Sequence, residues 1–353
     1  MNIESYVLDH IEERKKDPIL KGVLSTVSLF FRTGVAIRHV GYDKGWLKSY
    51  KASVPVVSVG NIAAGGTGKT PLIRLLAEAL SDEKVAILVR GYRAQVKGDS
   101  IDISQEGAAE GAEYGDEATW LHKNLPGVPI WVGKNRVRSA EFAAKQGAHV
   151  LLLDDGMQHR ALARDVEIVI LDGEDLFAKG SFLPRGLLRD FPSRLKEAHL
   201  IVLSHVHTQE QYEKCVEKIR LYSSAPIAAM RYRFMDGESL KGKPVGVFCA
   251  LGRPERFVQM LKREGCNIID TIVAADHIAF EERQLQAYAK RCKMEGAEFL
   301  VCTEKDAVKL SPSMDLVLPV RNLVVEIVWT EGEHLWKECV QNIKKRLRAH
   351  AGI

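Results

Sequence analysis

Residues 55–70 read Pro55-Val56-Val57-Ser58-Val59-Gly60-Asn61-Ile62-Ala63-Ala64-Gly65-Gly66-Thr67-Gly68-Lys69-Thr70, and apolar side chains recur at helical spacing over residues 72–80 behind them. A short apolar run, a loop of small residues and an amphipathic helix in that order predict a strand, a phosphate-binding loop and a helix. The small residues let consecutive backbone N–H groups turn inward on phosphates, Lys69 reaches the terminal phosphates, and Thr70 offers its hydroxyl to Mg²⁺. Ala63 takes the first position of the pattern, so Ala63, Ala64, Gly65, Gly66, Thr67, Gly68, Lys69 and Thr70 form the expected cradle for a nucleoside triphosphate.

Outward from this loop, apolar runs at 54–59, 85–89, 129–132, 150–153, 167–171 and 200–203 alternate with helical patterns. That rhythm predicts an α/β fold of the P-loop NTPase kind, a mostly parallel sheet with crossover helices. The run at 150–153 ends in Asp154-Asp155, which resembles the carboxylate-tipped strand that supplies a metal ligand beside such a loop. Two adjacent acids also suit the cap of a turn, but Mg²⁺ between phosphates needs an oxygen ligand at this place. A polar, Gly- and Lys-rich stretch at 235–244 precedes further strand patterns at 245–249, 267–272 and 299–302. We expect an amino-terminal segment at 1–50, the phosphate-loop domain at 51–234, a smaller α/β domain at 235–325, and a carboxyl-terminal strand and helix at 326–353 that pack back on the first domain.

With 353 residues, 46% apolar and 27% charged, the chain has material for two packed cores. A formal charge of +4, without basic residues interleaved among aromatics, argues against a nucleic-acid partner. The six cysteines include no C-x-x-C pair and read as reduced structural thiols of a cytosolic protein. Glu4, Asp9, Glu12 and Glu13 precede the first apolar stretch, unlike the start of a signal peptide. Ile19, Leu20, Val23, Leu24, Val27, Phe30, Phe31 and Val35 then recur at helical spacing, with Lys21 and Arg32 interrupting any run long enough to span a bilayer. Between Arg14 and Lys51 nine basic residues face only two acids, so this amphipathic helix suits either a core-facing position or an anionic membrane surface.

The chain resembles the tetraacyldisaccharide 4'-kinases from about residue 32 to about residue 310. Besides Gly60-Asn61 and the loop, the resemblance rests on Arg90-Gly91-Tyr92, Gly115-Asp116-Glu117, Asp154-Asp155-Gly156-Met157-Gln158-His159 and Arg164-Asp165. It continues in Leu183-Pro184, Leu188-Arg189, Ser193-Arg194-Leu195, Arg253-Pro254-Glu255-Arg256-Phe257, Asp276-His277 and Thr303-Glu304-Lys305-Asp306. The resemblance implies transfer of the ATP γ-phosphoryl group to the 4' hydroxyl of a tetraacylated disaccharide 1-phosphate in lipid A synthesis. It also implies peripheral attachment at the cytoplasmic face of a bacterial inner membrane, with residues 20–35 touching lipid, and no obligate protein partner.

By the same resemblance Asp116 is the base that takes the hydroxyl proton, assisted by His277 across the domain boundary, and Asp155 joins them as a catalytic residue. Read without the family, Asp116-Glu117 equally suits the acidic first turn of a helix, and His277 an ordinary loop histidine. Arg189 is expected at the nucleotide, and Thr70, Asp154, Asp155 and Asp190 at Mg²⁺, with Asp190 one methylene shorter than the family's usual Glu. Arg90, Arg93, Arg136 and Arg138 are further candidates for balancing phosphate charge. Thr303-Glu304-Lys305-Asp306 reads as a structural turn. The rival function is a nucleotide-dependent dimerising switch, whose signature lysine is replaced here by Ala64.

Overall fold

The computed structural model describes residues 17–91, 100–104, 114–274, 280–311 and 314–351, so His277 and Arg93 lie outside the described residues. Helix α1 (Pro18–Asp43) starts on Asp17, whose carboxylate accepts from the Ile19 and Leu20 amides, with Pro18 in the first turn. The apolar runs become β1 (Val56–Gly60), β2 (Val85–Val89), β3 (Ile101–Asp102), β4 (Ile130–Val132), β5 (Val150–Asp154), β6 (Val166–Asp172) and β7 (Leu200–Ser204). Every residue of β1, β2, β5, β6 and β7 is buried, as strands covered on both faces require. The crossovers are α2 (Lys69–Ala79), α3 (Asp116–Asn124), α4 (Arg136–Lys145) and α5 (Gln209–Arg220), and β8 (Ile227–Phe234) follows.

The chain then builds a second, parallel sheet from β9 (Pro244–Cys249), α6 (Pro254–Arg263), β10 (Asn267–Val273), α7 (Glu282–Met294), β11 (Phe299–Thr303), the short α8 (Glu304–Ala307) and β12 (Val320–Leu323). It returns through β13 (Val325–Glu331), which pairs antiparallel with β8, and ends in α9 (Glu333–Ala351). The large sheet runs β13-β8-β7-β6-β1-β5-β2-β4-β3 and the small one β10-β9-β11-β12. Trp336, Val340, Ile343 and Leu347 of α9 are buried in the same core as Val202, Ala228 and Met230 of the large sheet. The fold is thus the α/β, mostly parallel architecture expected. The six cysteines are free, and Cys215, Cys249, Cys292 and Cys302 are buried.

Helix α1 departs from the expectation in one respect: by length and composition it is long and apolar enough to cross a membrane, despite Lys21 and Arg32. It is apolar on two sides. One stripe carries buried Leu24 and Ser28 and half-buried Val35, and lies on the body of the protein, where Ser28 Oγ donates to the Phe182 carbonyl at 2.8 Å. The other leaves Ile19 81%, Leu29 61% and Phe30 73% exposed, with Val23, Val27 and Ile37 beside them.

Candidate active site

Strand β1 delivers the chain into the glycine-rich loop and pairs with β5 in the register Val59–Asp154, so the carboxylates at the end of β5 lie beside the loop. Gly60 has no freedom to carry a side chain, because an added Cβ would sit 2.7 Å from that of Met157. Gly65 and Gly68 turn the loop with φ of 104° and 86°, in the region where glycine meets no steric penalty. Lys69 opens α2, and Thr67 and Thr70 are buried. Ala63 and Ala64 behave differently from the remaining loop residues. Ala63 bridges to Leu188, and the Ala64 amide donates to the Leu187 carbonyl at 2.7 Å. Their side of the loop is therefore fixed by the 181–190 segment, leaving residues 65–70 to curl around an anion.

That same segment brings Arg189 over the loop. Its guanidinium holds Asp155 with two bonds of 2.7 Å and also donates to the Asn61 side-chain oxygen, while Asn61 Nδ2 donates to Thr67 Oγ1 at 3.0 Å. Lys69 Nζ stands 3.7 Å from Asp155. Burial alone would raise the Asp155 carboxyl, but Lys69 and Arg189 overrule it and hold the group well below the usual carboxylate range. Asp154 is the opposite case. It is buried, its Oδ1 has no hydrogen-bond partner among the described residues, and burial with Glu117 and Asp155 nearby pushes it up to about 7. Two adjacent carboxylates of the same strand end thus have different surroundings: one is ion-paired with Arg189 and Lys69, the other is buried with an Oδ1 that accepts no hydrogen bond among the described residues.

Arg136 opens α4 and is only 5% exposed, with Nε unpartnered among the described residues. Burial lowers its pKa against the pull of Asp154 and Asp155. An arginine kept out of water without an ion-paired carboxylate is costly, and an incoming phosphate relieves that cost. Arg90 is exposed and contributes to Arg136 only through its charge; Arg138 pairs with Glu141 on the surface.

Asp190 is buried and bonded elsewhere: its Oδ1 lies 2.6 Å from Nε2 of His39 and accepts from the Phe191 amide at 2.8 Å. Arg160 donates to His39 Nδ1 at 3.2 Å, and a guanidinium only donates, so the His39 proton belongs on Nε2 and points at Asp190. Asp116 is the first residue of α3, preceded by Gly115 at φ 85°, and its carboxylate lies 2.9 Å from Nζ of Lys309 in the second sheet's lobe. The structure therefore gathers the loop, Asp154, Asp155 and Arg189, gives Asp190 to His39, and sets Asp116 against Lys309.

Several residues around the site had no role assigned from sequence. Asn61 and Arg253 with Arg256 stand in the motifs quoted above, which was their only signal. Tyr232, whose hydroxyl reaches the Gly68 carbonyl, and His39 have none, because their partners are 164 and 151 residues away. At the end of β6, Asp172 accepts from Arg253 at 2.8 Å and Arg256 at 2.7 Å, tying the two lobes together.

The family model for tetraacyldisaccharide-1-P 4'-kinase matches residues 20–344. The tetraacyldisaccharide 4'-kinase of Syntrophus aciditrophicus (strain SB) is 35% identical over 331 residues, 86% of this chain and 88% of that protein. That of Halothermothrix orenii is 31% identical over 340 residues, 88% of each chain. The crystal structure of the "apo" form of LpxK from Aquifex aeolicus, in complex with ATP, superposes with a TM-score of 0.72 at 30% identity, covering 92% of this chain and 99% of that one. A phosphate loop flanked by paired carboxylates, in a chain that follows these kinases along nearly its whole length, establishes that this protein belongs to the tetraacyldisaccharide-1-P 4'-kinase family.

Proposed function

We propose that this kinase transfers the γ-phosphoryl group of ATP to the 4' hydroxyl of tetraacyldisaccharide 1-phosphate, making the 4'-phosphorylated lipid A precursor. The observation that carries the reading is the juxtaposition of residues 65–70, Lys69 included, with Arg189 and Asp155 in one ion-paired cluster beside Asp154, whose buried Oδ1 has no hydrogen-bond partner among the described residues. Backbone amides of the loop and Lys69 take the phosphates, and Arg136 and Arg189 offer the cationic surroundings that a transferring phosphoryl group requires.

The residues fit a hard divalent cation. Asp154 Oδ1 is an orphaned, buried oxygen, and Thr70 places a hydroxyl at the start of α2. Thr70, Asp154, Asp155 and Asp190 would hold Mg²⁺ there, the last two only once their present partners Arg189 and His39 permit. When bound, Mg²⁺ neutralises the charge that develops between the β- and γ-phosphates. Asp116 takes the 4' hydroxyl proton on its carboxylate as the new P–O bond forms, and His277 orients it. Such a base contributes ~10²- to 10⁴-fold to the rate.

The exposed stripe of α1 supports peripheral attachment at the cytoplasmic membrane face, where the acyl chains of the substrate reside. The test is a transfer assay with labelled ATP, Mg²⁺ and detergent-dispersed tetraacyldisaccharide 1-phosphate. Label entering the lipid with the native protein, and largely lost with Asp116→Ala, is the expected result. ATP binding without label in the lipid would sink the reading.

A further inference from the structure

The segment 303–309, which sequence pattern alone reads as a structural turn, makes a set of contacts that a turn does not need. Thr303 Oγ1 accepts from the Asp306 amide at 3.2 Å and donates to Asp306 Oδ2 at 2.6 Å. Asp306 Oδ1 accepts from the Ala250 amide at 3.2 Å, so the short helix α8 is fixed to the end of β9. From that fixed base the segment grips α3 of the other lobe. Lys305 lies 3.7 Å from Glu117, and Lys309 lies 2.9 Å from Asp116.

We propose that segment 303–309 is a clasp through which the four-stranded lobe sets the general base, and that Lys309 is the positioning residue that orients Asp116 and keeps it ionised. The proposal rests on the reading of Asp116 as the base. Lys309 and Asp116 are 13% and 18% exposed, whereas an ordinary surface pair here, Lys214 with Glu210, is 67% and 77% exposed. A shielded ammonium holds a carboxylate far more firmly than a solvated one does. Among the described residues the charges around this corner include Lys305, Glu117, Glu304 and Asp306, with Asp306 3.9 Å from Lys309 and Arg74 acting on Glu304, and beyond them Asp154, which feels Glu117. The amino terminus of α3 adds a further preference for the anion. An ionised carboxylate with a fixed rotamer accepts the hydroxyl proton in one step, and the clasp ensures that it is so only while the two lobes are engaged.

The experiment uses the full chain with detergent-dispersed tetraacyldisaccharide 1-phosphate, comparing native protein, Lys309→Met, Lys309→Arg and Asp116→Ala across pH. Loss of the ammonium removes stabilisation of the charged carboxylate, so the acidic limb of kcat moves upward by about one pH unit in Lys309→Met. We expect kcat to fall about tenfold to a hundredfold at neutral pH with the ATP KM nearly unchanged, and Lys309→Arg to recover most of it. Lys309→Gln reads the same limb if the methionine variant does not fold. An unmoved acidic limb and native kcat in Lys309→Met, with Asp116→Ala inactive, overturn the clasp while leaving the base in place. Turnover surviving in Asp116→Ala overturns the base reading, and the clasp with it.

Discussion

The Tyr232 hydroxyl donates to the carbonyl of Gly68 at 3.2 Å, linking β8 to the last glycine before Lys69. Burial pushes this hydroxyl above its ordinary pKa, so it stays a donor at every working pH. A Cβ added to Gly68 would lie 1.6 Å from the Tyr232 oxygen, at a φ of 86° that already disfavours a side chain. Gly68→Ala should abolish ATP binding. Tyr232→Phe, losing one bond worth about 1 kcal/mol, should weaken it about fivefold, as calorimetric titration with ATP will read.

The fork between Arg189 and Asp155 is bidentate, and a lysine cannot reproduce its plane. Arg189→Lys should therefore lower kcat by about tenfold to a hundredfold although the charge is conserved, the loss expected for a charge-assisted bond. Single-turnover transfer with saturating ATP separates this from weakened binding.

Arg136 is buried, and its Nε has no hydrogen-bond partner among the described residues, so it burdens the protein without ligand. Arg136→Met should raise the melting temperature in the absence of ATP by about 2 °C while lowering turnover at least tenfold. Thermal scans with and without ATP provide the check: the native protein should gain much more from the nucleotide than the variant.

Asp172 predicts a pH dependence of stability. Burial would raise its carboxyl, but His205 and Arg256 hold it well below the usual range. A depressed folded value means that the stabilisation is fully present above the unfolded pKa, about 4, and is lost as pH falls through the folded value. Asp172→Asn should cost about 3 kcal/mol at pH 7 and unfold with a shallower acid dependence below pH 4, measurable by urea titration at the two pH values.

The outer stripe of α1 can be charged without disturbing its inner one. Ile19→Asp with Phe30→Asp should abolish recovery with anionic vesicles and leave the ATP KM unchanged, because both side chains point away from the body of the protein. Leu24→Asp, on the buried stripe, should instead destabilise the fold.

What the sequence disclosed was local. Residues 55–70 announce the loop because strand, glycines, lysine and helix follow one another directly, and the buried strands announce themselves as unbroken apolar runs. Strand β8, Ile-Ala-Ala-Met-Arg-Tyr-Arg-Phe, mixes small and charged residues, and its identity depends on pairing with β13 some 90 residues later. The contrast between Asp154 and Asp155 was equally hidden, since it depends on the fold bringing the bidentate Arg189 and the close Lys69 onto Asp155. Asp190 shows the same limit: its bond to His39 joins residues 151 positions apart. The second stripe of α1 escaped because apolar periodicity records that a face exists and not what covers it.

The pairing of Phe234 with Val325, reinforced by the Met235 amide bonding the Val324 carbonyl at 3.0 Å, has a consequence for how the molecule is built. The chain leaves the large sheet and re-enters it at adjacent points, so residues 235–324 form an insertion at the tip of what is otherwise a simple hairpin. Such a leaf enters and leaves the body at the one β8–β13 ribbon, and it is held there at two further places, by Arg253 and Arg256 on Asp172 and by Lys309 on Asp116. A tight two-residue turn in its place would close the hairpin, leaving a nucleotide-binding half stripped of its acceptor-side machinery.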